Sequence, residues 1–161
     1  MSVVVVGLGN AYRGDDAVGL AVAAAVRARV GSEVSVIPCE EEPSRLLDAW
    51  SGSAAAVIVD AVVSGAEPGT IHRLDASEEP IPAGTLRSST HAFSLGETIE
   101  IARALGRLPR RVLVYGIEAA DVAAGEQLSP AVAGAVDRVA DAIVHDLERL
   151  TSEEIPCTSE R

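Results

Sequence analysis

The sequence predicts an α/β fold of three layers, a mostly parallel twisted sheet with helices on both faces. Three observations carry that expectation. Strand-length apolar runs recur at residues 2–7, 54–60 and 111–115, continuous enough to be covered on both sides. Stretches of helical periodicity separate them, and such alternation is the pattern of a parallel sheet wrapped by helices. At 161 residues the chain suits one domain that buries about 70% of its unfolded surface.

The elements follow in order. Val3, Val4, Val5 and Val6 read as a buried strand, and Gly7-Leu8-Gly9 forces a tight turn. A helix is predicted over 15–30, with Val18, Val22, Val26 and Val30 on one stripe. Residues 34–38 read as a short strand and 43–50 as a helix with Leu46 and Leu47 inward. The run at 54–60 is a second buried strand that ends in Asp60. At 70–74, Ile71 and Leu74 alternate with His72 and Arg73, which predicts an edge strand. Residues 75–90, with Pro80, Pro82 and Gly84, read as a long loop, and such loops are often functional. Ser94 and Glu97 have capping-box spacing and open a helix whose stripe is Leu95, Ile99, Ala102 and Leu105. Residues 111–115 form another strand, closed by Gly116. Ser129-Pro130 starts the last helix, with Val132, Val136, Val139, Ile143, Leu147 and Leu150 inward. Residues 152–161 are polar and aperiodic and read as a flexible tail, which leaves 1–151 as a single domain.

Composition excludes several function classes. The formal charge is −11, and no Lys/Arg cluster is interleaved with aromatics, so a nucleic-acid partner is not expected. Cys39 and Cys157 are too few for a disulfide framework or a Cys-rich zinc site. No apolar run approaches a membrane span and no signal segment precedes the first strand, which points to a cytoplasmic protein. A dinucleotide site fails as well. Gly7 and Gly9 fit its fingerprint, but Tyr12 stands at the sixth position, and Asp15 and Asp16 would face an anionic ligand.

The chemistry gathers in one kind of place. In open α/β sheets, ligands bind at the carboxyl ends of the strands. Asp16 follows the first strand, Asp60 ends the second long one, and His91 stands between the long loop and the next helix. Two carboxylates and an imidazole suit a borderline divalent metal such as Ni²⁺, Zn²⁺ or Fe²⁺. Structural alternatives stand beside each reading. Asp15 serves as a helix N-cap, Asp60 as a partner for a neighbouring helix N-terminus, and His91 as a brace for the helix after it. His72 and His145 read as solvated. Glu40, Glu41 and Glu42 read as a solvated turn or as the rim of the same cleft. A nucleophilic Cys39 needs an activating base, for which His91 is the candidate.

The segments GLGNAYRGDDAVG at 7–19, VIVDAVVSGAEPGTIHRL at 57–74, SSTHAFSLGETIEIARALG at 88–106 and YGIEAADVAAGEQLSP at 115–130 resemble the endopeptidases that mature the large subunit of nickel–iron hydrogenases. They stand in that family's order over most of residues 3–150. GLGN with a nearby Tyr is also similar to peptidyl-tRNA hydrolases, but Gly14-Asp15-Asp16 stands where that family continues into Thr-Arg-His-Asn. The resemblance implies an aspartyl-type endopeptidase that activates its target by removing a short C-terminal extension from the nickel-loaded precursor of a hydrogenase large subunit. It places the family's nickel-contacting and catalytic residues on Asp16, Asp60 and His91, with the nickel supplied by the substrate and the enzyme a monomer. The nickel polarises the scissile carbonyl or activates a water, or it only positions the peptide while Asp16 or Asp60 acts as base. The rival reading is a nickel-binding or interaction module without peptidase activity. One departure bears on partner choice: Cys39-Glu40-Glu41-Glu42-Pro43-Ser44-Arg45 replaces the Gly-rich, Thr-containing stretch of many members.

Overall fold

Valine and isoleucine run without interruption through the central strands because both sides of the sheet are covered. In the computed structural model, which describes residues 2–39, 43–81, 95–120 and 127–153, Val3 and Val5 of the first strand face one layer, and Val4 and Val6 face the other. The elements are β1 (Val3–Leu8), a 3₁₀ turn (Gly14–Ala17), α1 (Val18–Arg27), β2 (Val34–Cys39), α2 (Pro43–Ala49), β3 (Ala55–Val62), β4 (Ile71–Asp75), α3 (Leu95–Ala104), β5 (Arg111–Glu118), α4 (Pro130–Ala133) and α5 (Val136–Glu153). The sheet order is β2-β1-β3-β5-β4. All pairings are parallel except β4 with β5, which is antiparallel.

α1 and α5 cover one face, with Val22, Val26, Val139, Ile143 and Leu147 against Val57, Val59, Leu113 and Ile117. α2 and α3 cover the other, with Leu46, Trp50, Leu95 and Ile99 against Ile58, Val112 and Val114. Each such buried aliphatic side chain contributes about 1.5–3 kcal/mol relative to exposure. The three-layer α/β expectation is met, and β4 is the edge strand that its alternation predicted. Pro38 lies on the opposite edge strand, β2, where a missing ladder donor is tolerated.

Several boundaries differ from the sequence reading. The predicted helix over 15–30 begins with the 3₁₀ turn and ends at Arg27. The last helix is two pieces, α4 and α5, separated by Gly134 and Ala135. β3 runs two residues beyond Asp60, and β5 passes through Gly116 to Glu118. Leu105, expected on the buried stripe of α3, is 61% exposed because the helix ends at Ala104. Residues 82–94, most of the predicted long loop, lie outside the described residues, as do 40–42 and 154–161. The described start of that loop is pinned to α3. Arg103 donates to the carbonyls of Ala76, Ser77 and Glu79 and to Glu100, and Glu100 accepts from the Ile81 amide at 3.1 Å.

A buried polar knot ties β4 and β5 to α5. Asp146 is buried. It accepts two bonds from the Arg73 guanidinium, at 3.1 and 2.9 Å, and a third from the Tyr115 hydroxyl. Burial pushes the Asp146 carboxyl up, but the bonds from Arg73 and Tyr115 outweigh it and the net shift is downward. Burial, and then the Asp146 carboxylate, push Tyr115 up to about 12. A carboxyl whose folded pKa is depressed stabilises the fold above its unfolded pKa of about 3.9 and loses that contribution as pH falls through the folded value. Asp146→Ala is therefore expected to cost about 1–3 kcal/mol at neutral pH, by leaving the buried tyrosine hydroxyl unmet. Urea denaturation at neutral pH and below pH 4 checks this: the gap between wild type and variant should narrow in acid.

Candidate active site

The crevice between β1 and β3 at their carboxyl ends is a topological switch point. β1 leads through α1, on one face, to β2 on its left. The chain returns through α2, on the other face, to β3 on its right. Such crevices are where open α/β sheets bind ligands.

Two glycines let the main chain close over that crevice. A Cβ on Gly19, near the start of α1, would overlap the carbonyl oxygens of Leu8 and Val59, which lie near the ends of β1 and β3. A Cβ on Gly9 would overlap the Asp16 carbonyl oxygen. The first turn of α1 thus sits directly on the strand ends, and the 3₁₀ turn carrying Asp15 and Asp16 packs against β3. The Asn10 amide donates to the Asp16 carbonyl at 3.3 Å, and the Asp16 amide donates to the Arg13 carbonyl at 3.1 Å.

Asp16 is 1% exposed and Asp60 2% exposed. A ligand at a strand end is ordinarily open to solvent, but these two are buried because α1 closes over the crevice and because β3 continues past Asp60. Asp60 shares a face with Ile58 and Val62, toward α2 and α3, and its Oδ1 accepts the Ala61 amide at 2.8 Å. Its register partner on β5 is Gly116. The structure thus brings Asp16 and Asp60 to one sheet edge. His91 lies outside the described residues, and among the described residues no group of three or more His, Cys, Asp or Glu could hold a metal ion. Cys39 ends β2 and is buried.

Asp15 has a different task from the N-cap expected of it. Arg13 stands at the cap position of the 3₁₀ turn, without a side-chain bond. The Asp15 carboxylate instead crosses to the far segment. Oδ1 accepts the Ser129 amide at 2.7 Å, and Oδ2 accepts the Ala120 amide and the Ser129 hydroxyl, both at 2.8 Å. It ties the site's turn to the chain that leaves β5 and enters α4.

The sequence reading missed Glu118. It ended the last strand at Gly116, so this acid fell outside every element considered. Glu118 is buried on the face that carries Asp60. Its carboxylate accepts the Ser64 amide at 2.8 Å and the Ser64 hydroxyl, and its Oε1 lies 3.2 Å from His72 Nε2. Burial pushes its pKa up, and the Ser64 and His72 bonds more than reverse that. His72, expected to be solvated, is therefore half-buried and engaged. Glu118 fixes the chain that emerges from β3 just after Asp60.

The sequence model described as hydrogenase maturation protease matches residues 21–146. The chain belongs to the hydrogenase maturation protease family. It is 27% identical to the hydrogenase expression/formation protein HupD of Thiocapsa roseopersicina, over 92% of this chain and 67% of that one. It is 25% identical to the hydrogenase 2 maturation protease of Escherichia coli (strain K12), over 97% and 96%. The fold superimposes on the hydrogenase maturating endopeptidase HybD from E. coli with TM-score 0.79, at 21% identity over 92% and 93% of the two chains. A [NiFe] hydrogenase maturation protease HycI from Thermococcus kodakarensis KOD1 gives TM-score 0.72, at 25% identity over 91% and 92%. Asp60 and His91 fall within the matched stretch of this maturation protease, and Asp16 precedes it.

An amide cannot replace the Asp15 carboxylate without loss. Asp15 receives donors on both oxygens, so Asp15→Asn must turn an NH₂ toward a donor. It is expected to cost about 1–3 kcal/mol and to lower the melting temperature, which calorimetry of wild type and variant checks.

Proposed function

We propose that this protease removes the C-terminal extension of a nickel-loaded hydrogenase large-subunit precursor, with Asp16, Asp60 and His91 reading a nickel ion that arrives in the substrate. The observation that carries the reading is the pair of buried carboxylates, Asp16 and Asp60, gathered at the switch-point edge of a chain from this family. Names of relatives support it, since they describe hydrogenase maturation proteases. Oxygen and imidazole donors suit a divalent ion of intermediate softness. A nickel ion delivered by the precursor would supply Lewis acidity next to the scissile peptide.

The chain's own residues then do the rest. Asp16 and Asp60 orient the cation and the segment attached to it. In hydrolysis a water oxygen bonds to the scissile carbonyl carbon, the C–N bond breaks, and a proton passes to the leaving amine. In this reading Asp16 or Asp60 takes the proton from that water. The reading situates the reaction in the cytoplasm, with the protease acting as a monomer. Among the described residues, no helix is long and apolar enough to cross a membrane.

The test mixes the protein with nickel-loaded precursor and weighs the products by mass spectrometry. Loss of a short C-terminal peptide is expected from wild type. Asp16→Asn, Asp60→Asn and His91→Ala should each slow cleavage by about 100-fold or more. Equal turnover of a zinc-loaded precursor would remove nickel from the reading. Binding without cleavage by the wild type would favour an interaction module.

A further inference from the structure

Four large apolar side chains stand exposed among the described residues: Tyr12, Val63, Ile101 and Leu105. Two of them sit on the segments that carry the buried acids. Tyr12 is four residues before Asp16 and 71% exposed, and Val63 is three residues after Asp60 and 43% exposed. Scattered exposed apolar residues are ordinary. These two are unusual in how firmly their backbone is held.

The Tyr12 amide donates to Asn10 Oδ1 at 2.9 Å, and the Arg13 amide donates to the Asn10 carbonyl at 3.2 Å. The same loop is closed onto Asp16 by the Asn10 amide and tied to β2 by the Gly9 amide, which donates to the Cys39 carbonyl at 3.2 Å. Val63 is held between Val62, buried at the end of β3, and Ser64, whose amide and hydroxyl are taken by Glu118. A tyrosine displayed on a fixed turn gives contact area at little ordering cost, and tyrosine is enriched at binding hot spots. Neither side chain contributes to either core cluster.

We propose that Tyr12 and Val63 are the apolar contacts that seat the precursor's peptide segment beside the scissile bond, one on the segment that leaves β1 and the other on the segment that leaves the adjacent β3. The inference rests on the function proposed above and deepens it. It assigns a preference for a segment with an apolar side chain next to the cut and against an acidic one, since a carboxylate there would face the buried acids. Ile101 and Leu105 lie on or after α3, and Leu105 is at the end of that helix where Arg103 grips the chain after β4. It serves as an exposed apolar control.

The experiment measures steady-state cleavage of nickel-loaded precursor by wild type, Tyr12→Ala, Tyr12→Phe, Val63→Ser, the double variant Tyr12→Ala/Val63→Ser, and Leu105→Ser. Tyr12→Ala and Val63→Ser are expected to raise KM, the double variant by about tenfold, with kcat within twofold and melting temperature unchanged. Tyr12→Phe and Leu105→Ser should keep the wild-type KM. An unchanged KM in the double variant, with wild-type cleavage intact, overturns this inference alone, as does a loss confined to kcat. A wild-type chain that neither binds nor cleaves the precursor overturns the functional reading and this inference together.

Discussion

The main chain of α1 resting on the ends of β1 and β3 is the contact on which the site depends. Gly19 makes it possible, because any side chain there would collide with the Leu8 and Val59 carbonyls. With the helix seated so low, the turn before it has no room to stand away from the sheet. Asp15 and Asp16 are therefore carried into the crevice instead of into solvent, and Gly9 is needed where that turn folds back over the chain. Raising α1 by one methyl group would disturb the helix packing and the acids at once. Fold and site share one steric constraint.

Burying carboxylates is expensive unless donors meet them, and this acidic chain buries several. Asp146 is met by Arg73 and Tyr115, Asp15 by two amides and a hydroxyl, and Glu118 by Ser64 and His72. Each of these three joins segments distant in sequence, so the donors that offset desolvation also fix geometry. Asp146 does this on the α5 face, away from the crevice. Asp15 and Glu118 do it on either side of the site, one holding the turn that carries Asp16 and the other the segment that follows Asp60. The two acids at the crevice are thus framed by structural acids of the same chemical type.

The architecture was readable because its physics is local and repetitive. The Val3 to Val6 run and residues 54–60 can be buried on both faces only in a sheet covered on both sides, and helical periodicity between them supplied the cover. Asp16 and Asp60 were readable because topology brings the ends of parallel strands to one edge regardless of sequence distance. Their burial was not readable, since it comes from how closely α1 approaches, a matter of Gly19 meeting a strand far away in sequence. The role of Asp15 was hidden for the same reason: its partners Ala120 and Ser129 are more than a hundred residues on. Glu118 looked like the residue after a finished strand, because Gly116 reads as a terminator. In the sheet Gly116 is an ordinary ladder position opposite Asp60. The division of the last helix at Gly134 and the exposure of Leu105 turn on where a helix stops, which periodicity alone does not mark.

Chain direction decides which end of α3 approaches the site. β5 begins at Arg111, where Ala76, the residue after β4, donates its amide to Val112. Arg103, near the end of α3, bonds that same Ala76 through its carbonyl. The C-terminal end of α3 therefore lies at the amino edge of the parallel strands, and the helix runs back from the opposite edge. Its first residue, Leu95, is eight residues earlier, about 12 Å along the axis at 1.5 Å per residue. That displacement carries it toward the edge of Asp16 and Asp60. Asp60 lies on the sheet face that α3 covers, so the start of this helix and Asp60 share one face and one edge.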